Sequence, residues 1–360
     1  MRRVLILGAT GSIGTTALNA VREGKLDVKI TGLAARHNED RLKALAEEFD
    51  CPYIINDDSG KLDDFISSSD SDIALNGIAG SPGLEASLLC IKHSVDLALA
   101  NKESVVMGGS FLFESAQKKG SKIIPVDSEH SAIYNLLKGH EDEVEKLVIT
   151  ASGGPFLNRR DLDNVTVEEA CSHPTWKMGR KISIDSSTLA NKGLEVIEAG
   201  FLFNMPAEKI EVTIHRQSVV HSMIRLENGA VYAQLSPPDM TLPIISALND
   251  GHQELHNVVK PLSFENLTLT FSSWDRNQFP LLALAYNVLS SKAAYPIAFN
   301  AADEVAVAAF IEGRIRYTQI AEIVERVLDH DWTASAHSFE EIKHYDSLAR
   351  ERAASCLASF

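Results

Sequence analysis

Short, nearly unbroken apolar runs alternate with amphipathic stretches through the first third of the chain. The runs fall at residues 4–7, 28–33, 53–55, 73–75, 96–99 and 123–126, and each reads as a buried strand. Residues 15–22, 41–49 and 83–91 carry apolar positions three and four apart, which predicts helices between them. This alternation predicts βαβ units on a parallel sheet. One further run, at 146–150, ends in the turn signal Ser152-Gly153-Gly154-Pro155.

The pattern changes after Gly200. Runs at 211–214, 219–226 and 230–235 alternate with period two, and Glu227-Asn228-Gly229 reads as a tight hairpin turn, so an antiparallel sheet is expected. Residues 250–276 have little periodicity and read as a linker. Beyond them the chain is rich in Ala, Glu and Leu at helical spacing, at 302–311, 320–328 and 348–357, which predicts a terminal helical bundle. The expected organisation is α/β. A nucleotide-binding parallel sheet covers 1–127, and a central α+β catalytic domain with an antiparallel sheet covers 128–249. The linker at 250–276 and the bundle at 277–360 complete it.

Composition narrows the function classes. Asp and Glu outnumber Lys and Arg by 49 to 34, a net charge of −15 that disfavours nucleic acid and anionic membranes as partners. No apolar run approaches the ~20 residues of a membrane span. The start of the chain lacks a cleavable leader pattern, and four scattered cysteines without Cys-x-x-Cys fit a reduced cytoplasm. An anionic ligand would need a site built locally from backbone N–H groups and a few cations.

Such a site follows the first strand. Gly8-Ala9-Thr10-Gly11-Ser12-Ile13-Gly14 leads into a helix with Gly-x-x-Gly-x-x-Gly spacing, a Rossmann-like fingerprint. It lets the backbone approach a pyrophosphate at the helix N-terminus. A glycine turn without a ligand is the bland alternative, and the place of the motif at the head of βαβ units counts against it. The second strand ends in Ala35-Arg36-His37-Asn38, with no acid to bind ribose hydroxyls. A 2′-phosphate is therefore favoured, and with it NADPH.

Asp127 and Glu129 follow the strand at 123–126, where ligands of open α/β sheets bind. On extended chain, residues two apart face one point, so the two acids could share a cation. With Glu195 the set is hard and all-oxygen, suited to Mg²⁺ or Mn²⁺. Asn191, Lys192 and Glu195 fall on one helix face. Gly193 within that helix suggests a close approach to the backbone. Ser186, Asn191 and Lys192, with Ser152 and the Gly153-Gly154 backbone, form a candidate phosphate cradle. The segment 171–181 carries His173, Trp176 and Gly179 between Pro and Gly, and reads as a lid loop rather than core. Cys171-x-His173 has no further ligand at metal spacing and is rejected as a metal pair.

Together these motifs resemble the 1-deoxy-D-xylulose 5-phosphate reductoisomerase family, along essentially the whole chain. The resemblance rests on residues 8–14, 100–104, 125–130, 151–156, 173–181, 191–195 and 238–240. It implies NADPH- and Mn²⁺- or Mg²⁺-dependent conversion of a phosphorylated ketose, 1-deoxy-D-xylulose 5-phosphate, to 2-C-methyl-D-erythritol 4-phosphate. The route is retro-aldol rearrangement followed by hydride reduction, in the methylerythritol phosphate pathway to isoprenoids. The implied metal ligands are Asp127, Glu129 and Glu195. The implied substrate contacts are Lys102, Ser128, Glu129, Ser152, His173, Ser186, Asn191, Lys192 and Glu195. NADPH would meet Thr10, Gly11, Ser12, Ile13, Arg36, His37, Asn38, Asn101, Glu103 and Gly179.

Catalytic roles fall to Lys102, Glu129, His173 and the lid residue Trp176, with the proton carrier open among Lys102, Glu129 and metal-bound water. A homodimer pairing through the antiparallel sheet is implied. Residues 35–38 differ from the Gly-Lys-Asn of some relatives. Arg216 stands where a proline is common, and is expected not to touch the assigned site. The alternatives are an NADP-dependent sugar-phosphate dehydrogenase without rearrangement, and a nucleotide-sensing regulator without catalysis.

Overall fold

The apolar runs of the first third lie side by side in one sheet. In the computed structural model, which describes residues 1–56, 58–140, 142–176 and 178–360, the strands are β1 (Arg2–Leu7), β2 (Val28–Ala35), β3 (Tyr53–Ile55), β4 (Ile73–Asn76), β5 (Asp96–Leu99) and β6 (Ile123–Pro125). Their order is β3-β2-β1-β4-β5-β6 and every pairing is parallel. Helices α1 (Ser12–Arg22), α2 (Glu39–Glu48), α3 (Ser59–Ser68), α4 (Pro82–Lys92), α5 (Lys102–Lys119) and α6 (Ser128–Leu137) connect or follow the strands. Val4, Leu5, Ile6 and Leu7 are fully buried, as expected where helices cover both faces of a parallel sheet. The strand order reverses between β1 and β4, the switch point at which such sheets bind nucleotides.

The chain forms two compact units. The first comprises Met1–Ser104, Leu112–Asn135 and Asp239–Leu262; the second comprises Val105–Phe111, Leu136–Pro238 and Ser263–Phe360. In the second unit lie β7 (Val144–Ala151), α7 (Val167–Ala170), α8 (Arg180–Thr188), α9 (Ala190–Leu202), β8 (Ile210–Ile214), β9 (Val220–Leu226) and β10 (Val231–Leu235). The sheet order is β10-β9-β7-β8. The β9–β10 and β7–β9 pairs are antiparallel, but β7 and β8 run parallel, so the sheet is mixed rather than wholly antiparallel. The run at 146–150 supplies β7, one of its two interior strands. The predicted hairpin turn is present, with Gly229 at φ +87°.

Helix α10 (Thr241–Asn249), expected in the catalytic domain, belongs to the first unit, as does the start of the expected linker. Its apolar stripe needs burial, and Ile244, Ile245, Ala247 and Leu248 find it in the core beside Leu18, Ile124 and Val126. Arg2 Nη1 donates to Leu248 O at 2.9 Å, and Lys122 pairs with Asp250 at 3.1 Å. The bundle helices α11 (Pro280–Ser291), α12 (Tyr295–Ile311), α13 (Thr318–Leu328) and α14 (Phe339–Leu357) follow, with α12 packed on α13 and α14.

Gly193 has a packing role. A Cβ there would lie 2.9 Å from Ala285 Cβ, and one at Gly200 would lie 2.4 Å from Leu289 Cδ1. These glycines, two turns apart on α9, let α11 approach closely, so the close approach expected at the Gly193 backbone is made by a neighbouring helix. Gly193→Ala is expected to cost ~1–3 kcal/mol of stability by overpacking, with both KM values unchanged. Urea unfolding and steady-state kinetics check this; an unaltered midpoint with a raised KM would contradict the packing role.

Candidate active site

The glycine turn after β1 is shaped by close backbone approach. A Cβ on Gly14 would lie 2.6 Å from Ala9 Cα and Gly8 O, and Gly8 itself has φ +86°. Helix α1 opens with no acid in its first turn and no side-chain cap, which leaves its first N–H groups available to an anion. Thr10 Oγ1 donates to His37 O at 3.4 Å, joining the turn to the loop after β2. There Arg36, His37 and Asn38 are exposed, with Asn38 in the left-handed region at φ 68°.

After β5, Asn101 caps α5. Its Oδ1 accepts Ser104 N–H at 2.8 Å, and its Nδ2 donates to Gly80 O at 2.9 Å and Glu103 Oε2 at 2.8 Å. The buried Asn101 amide is thus engaged within the protein. The adjacent Lys102, also buried, places Nζ 2.6 Å from Asp127 Oδ2.

Asp127 and Glu129 do not lie on extended chain. Strand β6 ends at Pro125 and α6 starts at Ser128, so the acids straddle a helix entry. The cause is local. Asp127 O accepts Ser131 N–H at 2.7 Å and Asp127 Oδ1 accepts Glu129 N–H at 3.3 Å, capping contacts that an acid at a helix N-terminus favours. The pair still converges, with one oxygen of each carboxylate within 4.8 Å of the other. Ser128 Oγ donates to Glu129 Oε2. Two acids this close repel unless a cation joins them; Lys102 supplies one positive charge, at Asp127. Hard oxygen donors in this arrangement fit Mg²⁺ or Mn²⁺.

In the second unit, α8 and α9 meet at Leu189, which sits at φ 57°. The hydroxyl cluster divides there. Ser187 Oγ donates to Ile184 O at 2.7 Å, and Thr188 Oγ1 donates to Asp185 O at 3.1 Å and accepts Ala190 N–H at 3.2 Å. Ser186 is only half-buried and has none of these backbone roles, which leaves its hydroxyl for a ligand. On α9 the Glu195 carboxylate, 1% exposed, accepts from Asn191 Nδ2 at 2.6 Å and from Lys192 Nζ at 2.5 Å. The predicted shared face is present, and in this arrangement Asn191 and Lys192 are turned toward the acid.

Beyond β7, Gly153 and Gly154 have φ of 79° and 62°, and a Cβ on Gly154 would lie 2.8 Å from Ser186 O. The turn thus brings Ser152 beside α8. His173 Nδ1 accepts the N–H groups of Thr175 (3.1 Å) and Trp176 (2.8 Å). In neutral His173 the proton is therefore on Nε2, which donates to Ser152 Oγ at 2.9 Å. Ser152 Oγ also accepts Gly154 N–H at 3.2 Å, so neither of these contacts uses its own hydrogen. With both nitrogens engaged, His173 is unsuited to a metal, in line with the rejected Cys171 pair. Burial also pushes the Cys171 thiol up.

Trp176 is half-buried in an irregular segment, outside the core. Within that segment, Gly179 is exposed and Lys177 lies outside the described residues. Arg180 and Lys181 are already helical. Lys181 Nζ joins Asp185 at 2.6 Å and the fully buried Asp303 at 2.9 Å. Asp303 escaped the sequence reading, since an acid in an Ala-rich helix resembles a solvated face. Arg216 was misjudged: its Nη1 donates to Ser152 O at 3.4 Å and to Gly154 O, so it does touch the assigned loop.

Family models match most of the chain. The 1-deoxy-D-xylulose 5-phosphate reductoisomerase model matches residues 4–65 and 55–109, its C-terminal domain model matches 123–203, and the DXP reductoisomerase C-terminal domain model matches 235–352. A 1-deoxy-D-xylulose 5-phosphate reductoisomerase of Treponema denticola is 47% identical over 97% of this chain and 95% of that protein. That of Treponema pallidum is 43% identical over 99% and 98%.

Among solved structures, the reductoisomerase of Zymomonas mobilis in complex with NADPH superposes with TM-score 0.91 at 35% identity, over all of both chains. A DOX-P reductoisomerase in complex with NADPH, fosmidomycin and magnesium gives 0.90 at 34%, over 99% of this chain and 98% of that one. Glycine turn, acid pair, hydroxyl cradle and full-length likeness converge: the chain belongs to the 1-deoxy-D-xylulose 5-phosphate reductoisomerase family.

Proposed function

We propose that the chain catalyses the NADPH- and divalent-cation-dependent rearrangement and reduction of 1-deoxy-D-xylulose 5-phosphate to 2-C-methyl-D-erythritol 4-phosphate, an isoprenoid precursor. The observation that carries this reading is the Asp127–Glu129 acid pair at the carboxyl end of β6, beside Lys102. A site for simple hydride transfer needs no such pair, which argues against a plain sugar-phosphate dehydrogenase.

Asp127, Glu129 and Glu195 would hold one Mg²⁺ or Mn²⁺. When bound, the cation supplies Lewis acidity to neighbouring ketone and hydroxyl oxygens, and NADPH supplies hydride. The residues of the chain bind and orient. Thr10, Gly11, Ser12 and Ile13 would meet the pyrophosphate, and Arg36, His37 and Asn38 the 2′-phosphate. Engagement of the Asn101 amide argues that Asn101 and Glu103 shape the nicotinamide side mainly through backbone and packing.

Ser152, Ser186, Asn191 and Lys192 would hold the substrate phosphate, with His173 orienting Ser152. Ser128 would contact the substrate beside Glu129. Trp176 and Gly179 would close over the site and exclude water. Lys102 Nζ carries a proton next to Asp127, well placed to meet an oxygen that gains charge.

The reading includes a homodimer, and β10 supports it as an edge strand with Val231 52% and Tyr232 45% exposed. It places the enzyme in the cytoplasm without nucleic-acid or membrane partners. Among the described residues, no helix is long and apolar enough to cross a membrane. NADPH oxidation with 1-deoxy-D-xylulose 5-phosphate tests the reading. Turnover is expected with added Mg²⁺ or Mn²⁺ and loss in EDTA, whereas full activity in EDTA would return the simpler dehydrogenase.

A further inference from the structure

We propose that Arg216 is a positioning residue that clamps the Ser152–Gly154 loop for recognition of the substrate's phosphate. The inference rests on the preceding reading that Ser152 meets that phosphate. Arg216 leaves the end of β8 at a bend fixed by His215. This histidine is fully buried, donates Nδ1–H to Thr270 O at 2.9 Å and accepts the N–H groups of Val219 (3.2 Å) and Val220 (3.1 Å) at Nε2. Every described polar contact of His215 is thus to backbone, and the bend delivers Arg216 in one direction.

The Arg216 guanidinium then donates to two carbonyls of a single turn, Ser152 O and Gly154 O. That turn contains two successive glycines at positive φ, the residues with most freedom to lose, so it gains from an outside restraint. A second element restrains it too, because Gly154 abuts the Ser186 backbone on α8. The clamp fixes where Ser152 Oγ stands, and with it the hydroxyl that would meet the phosphate.

Arg216 also brings charge. It makes no ion pair among the described residues, so its positive field is unspent next to the cradle. A planar guanidinium can span two carbonyls and stay charged at any working pH, which an ammonium matches only in part.

The test uses the full-length enzyme with Arg216→Ala, Arg216→Lys, Ser152→Ala and the Ser152→Ala/Arg216→Ala double variant. Steady-state kinetics is combined with calorimetric binding of inorganic phosphate. Arg216→Ala is expected to raise KM for the phosphorylated substrate and the phosphate Kd together by about tenfold, equivalent to ~1.4 kcal/mol. NADPH KM should stay within about twofold, and Arg216→Lys should recover part of the loss. The double variant should lose less than the sum of the single effects, because both act through one loop.

Unchanged phosphate binding in Arg216→Ala, or additive losses in the double variant, would overturn the clamp. So would a fall in melting temperature with all kinetic constants of both Arg216 variants worsening alike, which marks a merely structural residue. Phosphate binding that depends on Arg216 in an enzyme inert toward 1-deoxy-D-xylulose 5-phosphate would sink the proposed reaction and leave the clamp standing.

Discussion

Glu195→Gln is expected to lower turnover of 1-deoxy-D-xylulose 5-phosphate by about a hundredfold or more, because removing one anionic ligand forfeits several kcal/mol of Lewis-acid stabilisation. The variant should still fold, but with lower stability, because the buried Lys192 then faces a neutral amide. Glu195 is held by Asn191 and Lys192, and Gln can keep both contacts: its oxygen accepts from Lys192, and its amide donates to Asn191 once that side chain flips. NADPH affinity should be unchanged, since the glycine turn lies far along the chain in the first unit. Steady-state kinetics and a thermal melt check the pair of outcomes. Normal turnover would free Glu195 from the metal set, and loss of the fold would make it a structural acid.

Lys192→Met has a second large effect, of a different kind. Lys192 and Glu195 are 4% and 1% exposed, and removing one partner of such a pair leaves the other buried and charged, at a cost of ~3–5 kcal/mol. Met keeps the volume of the side chain, so the loss reports charge rather than a cavity. A divalent cation at Glu195 would restore the missing positive charge. Mn²⁺ should therefore raise the melting temperature of the variant more than that of the wild type, the stabilisation of the variant reaching ~2.7 kcal/mol at a hundred times its Kd. The KM for phosphorylated substrate should rise about tenfold or more through loss of the phosphate contact. An equal Mn²⁺ response in both proteins would show that Lys192 and the cation do not share the Glu195 carboxylate.

The parts of this molecule written in local pattern were legible before any coordinates. A strand, a glycine turn and a helix start follow from hydrophobic spacing and backbone crowding, so β1, the turn and α1 were read closely. The same holds for the β9–β10 hairpin, whose Asn228-Gly229 turn is a short-range signal. Helix α3 was not singled out, because its stripe has little beyond Leu62, Phe65 and Ile66 in a polar run and its cap, Asp58 Oδ1 accepting Lys61 N–H, is modest.

What depends on distant partners was hidden. Nothing near 144–151 says that this strand pairs parallel with β8. Nothing in the stripe of α10 says that it returns to the first unit. Gly193 carries a real signal of close approach, but only the structure names Ala285 as the neighbour. Asp127 and Glu129 were rightly brought together, although for the wrong backbone reason: a capped helix entry converges them as well as a strand would. Arg216 stood out only as a departure from a common proline; an arginine after a strand is usually a solvated residue, and its two carbonyl acceptors lie 62 and 64 positions away.

The claim underneath is that Asp127, Glu129 and Glu195 serve a single divalent ion. Calorimetric titration of Mn²⁺ into the NADPH-loaded wild type, Asp127→Asn, Glu129→Gln and Glu195→Gln tests it directly. The account predicts one ion per wild-type chain and at least about tenfold weaker binding in each variant, the loss expected for removing one charged oxygen donor. Wild-type Mn²⁺ affinity in Glu195→Gln, with binding lost in the other two, would contradict it.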